Sequence, residues 1–138
     1  MPIANESTTA GSVAARIVPW LSAADATQAV EYYKAAFGAI EIERLESASN
    51  RVEVAQLSIG GALFWVQRDD DSNPERQGVS PIRLILMGDD PDSGYARAIA
   101  AGALEVFSVH EAHGWRVGRV VDPAGHHWEI GKPLTRPS

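Results

Sequence analysis

Residues 36–42 read AFGAIEI, and residues 100–106 read AAGALEV, 64 positions further along the chain. The same spacing aligns the glycine of a predicted tight turn, Gly61, with a second turn glycine, Gly125. A repeated motif and a repeated turn glycine, with the same order of predicted elements around each, indicate an internal repeat. Each copy reads as one βαβββ unit. A lone unit leaves one sheet face uncovered, so we predict that two units join their sheets around a central cavity.

The two units are predicted over residues 16–67 and 82–131, within a single domain over 16–133. In the first unit, Asp25 is a candidate N-cap, and apolar residues then recur on one helical face until Gly38. A second helix is predicted to begin after Asp90 and to end at Gly102. Strands are predicted over 16–21, 40–45, 52–58, 62–67, 82–87, 104–109, 115–121 and 126–130. A polar loop over 68–80 separates the units.

Composition excludes several classes of protein. The chain has 138 residues, no cysteine and a net charge of −6. Without cysteine, a disulfide scaffold, a Cys-ligated metal and a cysteine nucleophile are excluded. An acidic chain does not favour nucleic acid as a partner, and no apolar run is long enough to span a membrane. Residues 1–15 lack the pattern of a signal peptide, so a cytoplasmic location is expected. Residues 1–15 and 134–138 have little apolar surface to bury and are predicted to be flexible tails.

Three stretches resemble one known superfamily. EYYKAAFGA (31–39) and YARAIAAGA (95–103) resemble its two helix motifs, and GRVVDPAGHHWEIGKP (118–133) resembles its terminal hairpin. They are similar to the vicinal oxygen chelate superfamily, closest to the glyoxalase, bleomycin-resistance and PhnB-like branch. The resemblance implies an α+β fold of two tandem βαβββ units. It does not settle function, because the superfamily contains lyases, isomerases, dioxygenases and metal-free drug-binding proteins.

The resemblance also implies where a metal ion would be held. Metal enzymes of the superfamily take one His, Glu or Gln ligand from the first and last strand of each unit. In this chain the matching positions are Val18, Trp65, Arg83 and Glu129. Only Glu129 is a metal ligand, and one carboxylate does not hold a catalytic ion against water. We therefore expect that the usual metal site is lost and that no cofactor is needed.

Side-chain alternation in the last strand of each unit extends this candidate site. Three further residues share a face with Trp65 or Glu129, namely Leu63, Gln67 and His127. The intervening residues are predicted to face the helices, namely Phe64, Val66, Trp128 and Ile130. Trp20 is included as a candidate wall residue whose face stays open, and Trp115 is predicted near a cavity mouth.

Polar residues near this site have two readings each. His127 is either a general acid or base, or a hydrogen-bonding wall residue, and the second reading is favoured. Arg119 either binds an anionic ligand or pairs with an acid. His110 and His113 are read as solvated loop residues.

A specific contact is predicted between Arg83 and Glu129. A carboxylate left alone in a partly buried cavity is costly, and a guanidinium offers a planar set of donors that matches it. We therefore expect the two side chains within ion-pair distance. The competing outcome is that Arg83 points outward, because an error of one residue in a strand reverses its face.

The leading hypothesis is a metal-free protein of the bleomycin-resistance type that binds a hydrophobic or aromatic small molecule, an antibiotic being one example. The alternative is a lyase, isomerase or dioxygenase of the same superfamily that uses a shifted metal set or His127 as an acid or base. No nucleic-acid or membrane partner is expected. A homodimer is expected by analogy with the superfamily.

Overall fold

The computed structural model describes residues 15–72 and 82–134. The predicted tails over 1–15 and 134–138 and the predicted loop over 68–80 lie largely outside the described residues. Within these residues the chain forms two βαβββ units, which confirms the predicted order of elements. Their elements are β1 (Trp20–Ala23), α1 (Ala26–Phe37), β2 (Ile40–Glu46), β3 (Val52–Ile59), β4 (Ala62–Arg68), β5 (Leu84–Met87), α2 (Pro91–Ala100), β6 (Leu104–Ala112), β7 (Trp115–Val121) and β8 (His127–Pro133).

Each unit forms its own four-stranded sheet. The strand order is β1-β4-β3-β2 in the first sheet and β5-β8-β7-β6 in the second. The first and last strands of each unit run parallel, and the other neighbours are antiparallel. Within each sheet this topology places the first strand of the unit beside the last. No helix in the described part of the chain is long and apolar enough to cross a bilayer.

The first strand of each unit begins later than predicted. β1 starts at Trp20 rather than at residue 16, and β5 starts at Leu84 rather than at residue 82. In β1 the reason is Pro19, which has no N–H to donate to a ladder. The Pro19 carbonyl still accepts a hydrogen bond from the Trp65 amide at 3.0 Å, so the chain is aligned with β4 one residue before the strand.

Helix ends follow the capping rules that the sequence indicated. The Asp25 carboxylate accepts a hydrogen bond from the Gln28 amide at 2.9 Å, and Gly38 ends α1 in the left-handed region with φ of 68°. In α2 the Asp90 carboxylate accepts from the Ser93 amide at 3.1 Å. This helix ends at Ala100, whereas the sequence predicted an end at Gly102.

The second unit has longer strands than the apolar runs indicated. β6 extends to Ala112 and β8 to Pro133, instead of to residues 109 and 130. Between β6 and β7, His113 and Gly114 both have positive φ, 55° and 79°. A two-residue turn with positive φ matches the twist of its flanking strands. The ladder therefore continues to the turn, and His110, which was predicted in a loop, lies in β6 instead.

The core joins the two units through their helices and aromatic rings. Helices α1 and α2 pack against each other, and Tyr33 of α1 is fully buried. The Tyr33 ring contacts Phe64 of the first sheet and Trp128 of the second, with centroids 5.5 and 5.7 Å away. Phe37 also packs on Trp128, at 4.7 Å. One continuous core therefore holds both sheets, and it confirms the prediction that Phe64 and Trp128 face the helices.

Candidate functional site

The register of the strands divides each sheet into a core face and an open face. Trp65 pairs with Trp20 on one side and with Gln56 on the other, so these three residues share a face. The neighbouring Phe64 and Val66 are buried against the helices. We call the face that carries Trp20, Trp65 and Gln56 the open face of the first sheet. On the second sheet, the face opposite the core is called the open face in the same sense.

Two indole rings form the main feature of the open face of the first sheet. The rings of Trp20 and Trp65 are stacked, with centroids 5.6 Å apart and planes inclined by 27°. Trp20 Nε1 donates a hydrogen bond to Gln67 Oε1 at 2.9 Å, which holds its ring in place. Trp20 nevertheless remains 54% exposed. The structure thus assigns Trp20 to the same face as Trp65, a question that the sequence left open.

An ion pair occupies the open face of the second sheet. Arg83 Nε lies 3.3 Å from Glu129 Oε2, as predicted. The Glu129 side chain is 16% exposed, whereas the Arg83 side chain is 53% exposed. Glu129 is aligned with Ile85 in the parallel ladder, and Arg83 precedes that strand. The contact is therefore a rim interaction, in which solvent screens much of the attraction.

Arg119 and His127 interact on the same open face. Arg119 Nε donates a hydrogen bond to His127 Nδ1 at 3.1 Å. A guanidinium can only donate, so Nδ1 must carry a lone pair and the ring proton lies on Nε2. In this arrangement His127 is a neutral imidazole with an N–H donor. Among the described residues Arg119 contacts this histidine, and both of its readings stay predictions.

The candidate metal positions do not fit a divalent ion. The Arg83 guanidinium already lies against Glu129, the one carboxylate of the set, and a cation there opposes a second cation. In the first unit the matching positions are Val18 and Trp65, which have no donor for a metal. Among residues 15–72 and 82–134, no group of three or more His, Asp or Glu side chains is arranged to hold a metal ion. The shifted ligand set of the enzyme hypothesis thus has no support in the described residues.

A separate cavity of about 540 Å³ lies where the edge strands β1 and β5 approach each other. Its lining is mostly apolar and includes Val18 and Leu63, two of the candidate site residues. The other candidate residues do not line it. The structure therefore distributes the candidate residues over three places rather than one cavity: the tryptophan pair with Gln67, the Arg83–Glu129 pair with His127, and this edge cavity.

Asp122, the acid of the DPAG turn, has a structural role. Its side chain is 3% exposed and accepts four hydrogen bonds. Tyr33 Oη and Trp128 Nε1 donate to Oδ2 at 2.6 and 2.8 Å, and the amides of Ala124 and His126 donate to Oδ1, both at 2.9 Å. Burial and the adjacent carboxylate raise the pKa of Tyr33 well above its usual value. The phenol therefore stays protonated and continues to donate.

The other histidines make contacts of different kinds, and the register with Val117 places His110 on the open face of the second sheet. His126 Nε2 lies 2.7 Å from the Ser22 carbonyl, so this ring helps to join the second unit to the first. His110 contacts its neighbour Phe107 and lies 3.0 Å from the Ser108 carbonyl through Nδ1. His113 lies in the turn before β7. Trp115 is the first residue of β7, as predicted, and is half-buried.

Sequence reasoning missed two polar residues on the open face of the first sheet. Gln56 and Ser58 on β3 are both buried, although they lie on the face opposite the core. Alternation along residues 52–59 indicated that they share a face. The sequence does not show that they lie beside Trp65 and Leu63 on β4, because that depends on the register of the paired strands.

Comparison with known proteins agrees with this architecture. A family model described as a glyoxalase-like domain matches residues 19–131. The chain is 34% identical over 137 residues to the uncharacterized protein Rv0887c of Mycobacterium tuberculosis, covering 92% of this chain and 79% of the relative. It is 32% identical over 121 residues to the uncharacterized protein At5g48480 of Arabidopsis thaliana, covering 78% of this chain and 71% of the relative.

A solved structure extends the likeness to three dimensions. TioX from Micromonospora sp. ML1 superposes with a TM-score of 0.69 at 27% identity, covering 88% of this chain and all of TioX. Two tandem βαβββ units with a terminal DPAGHHWE hairpin define the class of protein. The chain belongs to the glyoxalase-like domain family.

Proposed function

We propose that this protein binds a flat hydrophobic or aromatic small molecule without a metal ion, and that it acts by sequestering the compound. Antibiotics with planar ring systems are one such class. The observation that carries the proposal is the stacked and half-exposed pair of Trp20 and Trp65. An exposed aromatic stack is costly in water and presents a ring face on which another ring stacks favourably.

The chemistry of the second sheet supports binding over turnover. The positions that hold a metal in related enzymes present a guanidinium paired with a carboxylate. His127, the candidate acid or base, has its Nδ1 lone pair engaged by Arg119, and its ring proton lies on Nε2. A ring nitrogen that accepts a hydrogen bond from a guanidinium is a weaker base towards a substrate, which supports a hydrogen-bonding role for His127.

The first experiment measures binding of a panel of planar aromatic compounds by quenching of tryptophan fluorescence and by calorimetry. Stacking on one aromatic side chain contributes about 1–3 kcal/mol, so Trp65→Leu should weaken binding about 5-fold to 150-fold. Trp115→Leu is the matched control, since Trp115 lies on the second sheet, and should bind with unchanged affinity. If no compound binds, or if Trp65→Leu binds as well as the parent chain, the proposed site is wrong.

The second experiment separates binding from metal catalysis. Protein purified without chelators is analysed for Zn, Ni, Fe and Mn. The proposal expects much less than one metal ion per chain, in both the parent protein and Glu129→Gln. A stoichiometric metal that is lost in Glu129→Gln would instead support an enzyme of the same superfamily.

A further inference from the structure

Gln56 carries a buried side-chain amide that has no hydrogen-bond partner in the part of the chain that the structure describes. Gln56 is only 7% exposed. Among residues 15–72 and 82–134, no side-chain or main-chain group lies within hydrogen-bond distance and geometry of its amide. Most buried polar groups in native proteins have a partner, and an unsatisfied one costs about 1–3 kcal/mol. We interpret the unsatisfied amide of Gln56 as a group that forms its hydrogen bonds with a bound ligand.

The register of the first sheet places this amide directly beside the tryptophan pair. The strand order β1-β4-β3 aligns Trp20, Trp65 and Gln56 in one row across the sheet. Adjacent strands are separated by about 4.8 Å, which lies within the range of about 4.5–7 Å between the centroids of interacting aromatic rings. The first two positions of the row are filled by indoles, and the third by a short flexible amide. A ring that continues the stack beyond Trp65 therefore lies above Gln56.

A second polar side chain extends the same strip along β3. Ser58 is two residues from Gln56, on the same face, and is also buried. It pairs with Leu63, whose side chain is apolar and half-buried. An amide contributes both a donor and an acceptor, and so does a hydroxyl. The strip thus offers paired donors and acceptors on the sheet, next to an aromatic wall.

We propose that Gln56 reads a lactam-like edge, an N–H beside a C=O, on a flat heteroaromatic ligand that stacks on Trp65. Side-chain amides recognise such donor–acceptor edges through two hydrogen bonds, as they do on adenine. Ser58 extends this strip for a second polar group of the ligand. The inference rests on the proposed function, because it assigns the ligand chemistry at the same open face. It explains why the sheet keeps a buried amide where an apolar residue would fold equally well.

The test compares two probes that differ only at this edge. The compound 4(3H)-quinazolinone carries adjacent N–H and C=O groups, whereas 4-methoxyquinazoline has the same ring system without the N–H donor. Calorimetry of the full chain should show about tenfold tighter binding of the quinazolinone, the discrimination expected of one paired hydrogen-bond contact. Gln56→Met should lose this preference and retain its affinity for 4-methoxyquinazoline. Gln28→Met, on the exposed surface of α1, is the control and should retain the preference.

Thermal unfolding supplies an independent readout. Replacing an unsatisfied buried amide by an apolar side chain of similar size is neutral or stabilising. Gln56→Met is therefore expected to melt at the same or a higher temperature than the parent chain. A lower melting temperature would show that the amide is already satisfied in the free protein, for example by an ordered water, and would overturn the inference.

The binding outcomes separate this inference from the proposed function. If the parent chain binds planar compounds but shows no preference for the lactam, or if Gln56→Met keeps the preference, the role of Gln56 is wrong and the aromatic site stands. If neither probe and no compound of the wider panel binds, both proposals fail.

Discussion

Replacing Asp122 by alanine should strongly destabilise the fold, because it removes the acceptor for two buried donors. The Tyr33 hydroxyl and the Trp128 indole N–H both donate to Asp122 Oδ2, and neither side chain has access to bulk water. A hydrogen bond to a charged group contributes about 1.5–3 kcal/mol, so the loss of these two alone costs about 3–6 kcal/mol. That loss is a large fraction of the free energy of unfolding of a typical domain, which is about 5–15 kcal/mol.

A double-mutant cycle isolates the bond between the two units. Tyr33→Phe removes one donor and leaves three on the carboxylate, so it should cost about 1–3 kcal/mol. Adding Asp122→Ala to Tyr33→Phe should cost less than adding it to the parent chain, with a coupling energy of about 1–3 kcal/mol. Because Tyr33 and Asp122 are 89 positions apart, this coupling measures the attachment of the first unit to the second.

Urea unfolding followed by tryptophan fluorescence is the assay, with the free energy of unfolding taken from the midpoint and slope of the transition. Asp122→Asn keeps the shape of the side chain and serves as a milder variant if the alanine variant does not fold. If Asp122→Ala costs less than about 1 kcal/mol, or if its effect is additive with that of Tyr33→Phe, the assigned role of this acid in the core is refuted.

Three further outcomes are expected. Arg44 and then Lys34 donate hydrogen bonds to Glu41 and hold its pKa at about 2, below its usual value of 4.5. The ionised Glu41 therefore stabilises the fold fully above about pH 4.5, and this stabilisation is lost as the pH falls towards 2. In urea unfolding, Glu41→Gln should flatten the fall in stability between pH 6 and pH 3, and an unchanged slope would contradict this. Arg83→Ala should change the free energy of unfolding by less than about 1 kcal/mol, since the guanidinium of the Arg83–Glu129 pair is half-exposed; a loss of 3 kcal/mol or more, roughly the cost of breaking a buried pair, would show that the pair is buried in solution. Sedimentation at micromolar concentration should show a dimer of the 14.8 kDa chain, and a single monomeric species would exclude the expected homodimer.

The sequence repeat and the alternation of side chains predicted most of the fold. The repeat at residues 36–42 and 100–106 predicted two βαβββ units, and the paired strands confirm them. Strand alternation correctly separated Trp128, which is buried, from Glu129, which lies on the open face with Arg83. Both results depend on the two-residue period of a strand, which is a property of the chain itself and needs no knowledge of its neighbours.

Strand ends were less predictable, because pairing decides where a ladder stops. An apolar run continues through Pro19, but proline has no N–H for the ladder, so β1 starts at Trp20 and not at residue 16 as predicted. In β6 the polar residues up to Ala112 did not indicate a strand. The tight turn at His113 and Gly114 nevertheless carries the ladder to its end. Hydrogen bonds to a partner strand compensate for weak local propensity.

The sequence by itself determined the βαβββ repeat, the capped helices and the two faces of the last strand of each unit, β4 and β8. Only the tertiary structure decided that Trp20 stacks on Trp65, that Gln56 lies buried beside them, and that Asp122 accepts from Tyr33 of the other unit. Periodicity and capping act over a few residues and are therefore written in the local sequence. Contacts between strands and between units depend on register and on the packing of distant segments, and many registers are compatible with the same alternation, so these contacts are determined only when the whole chain folds.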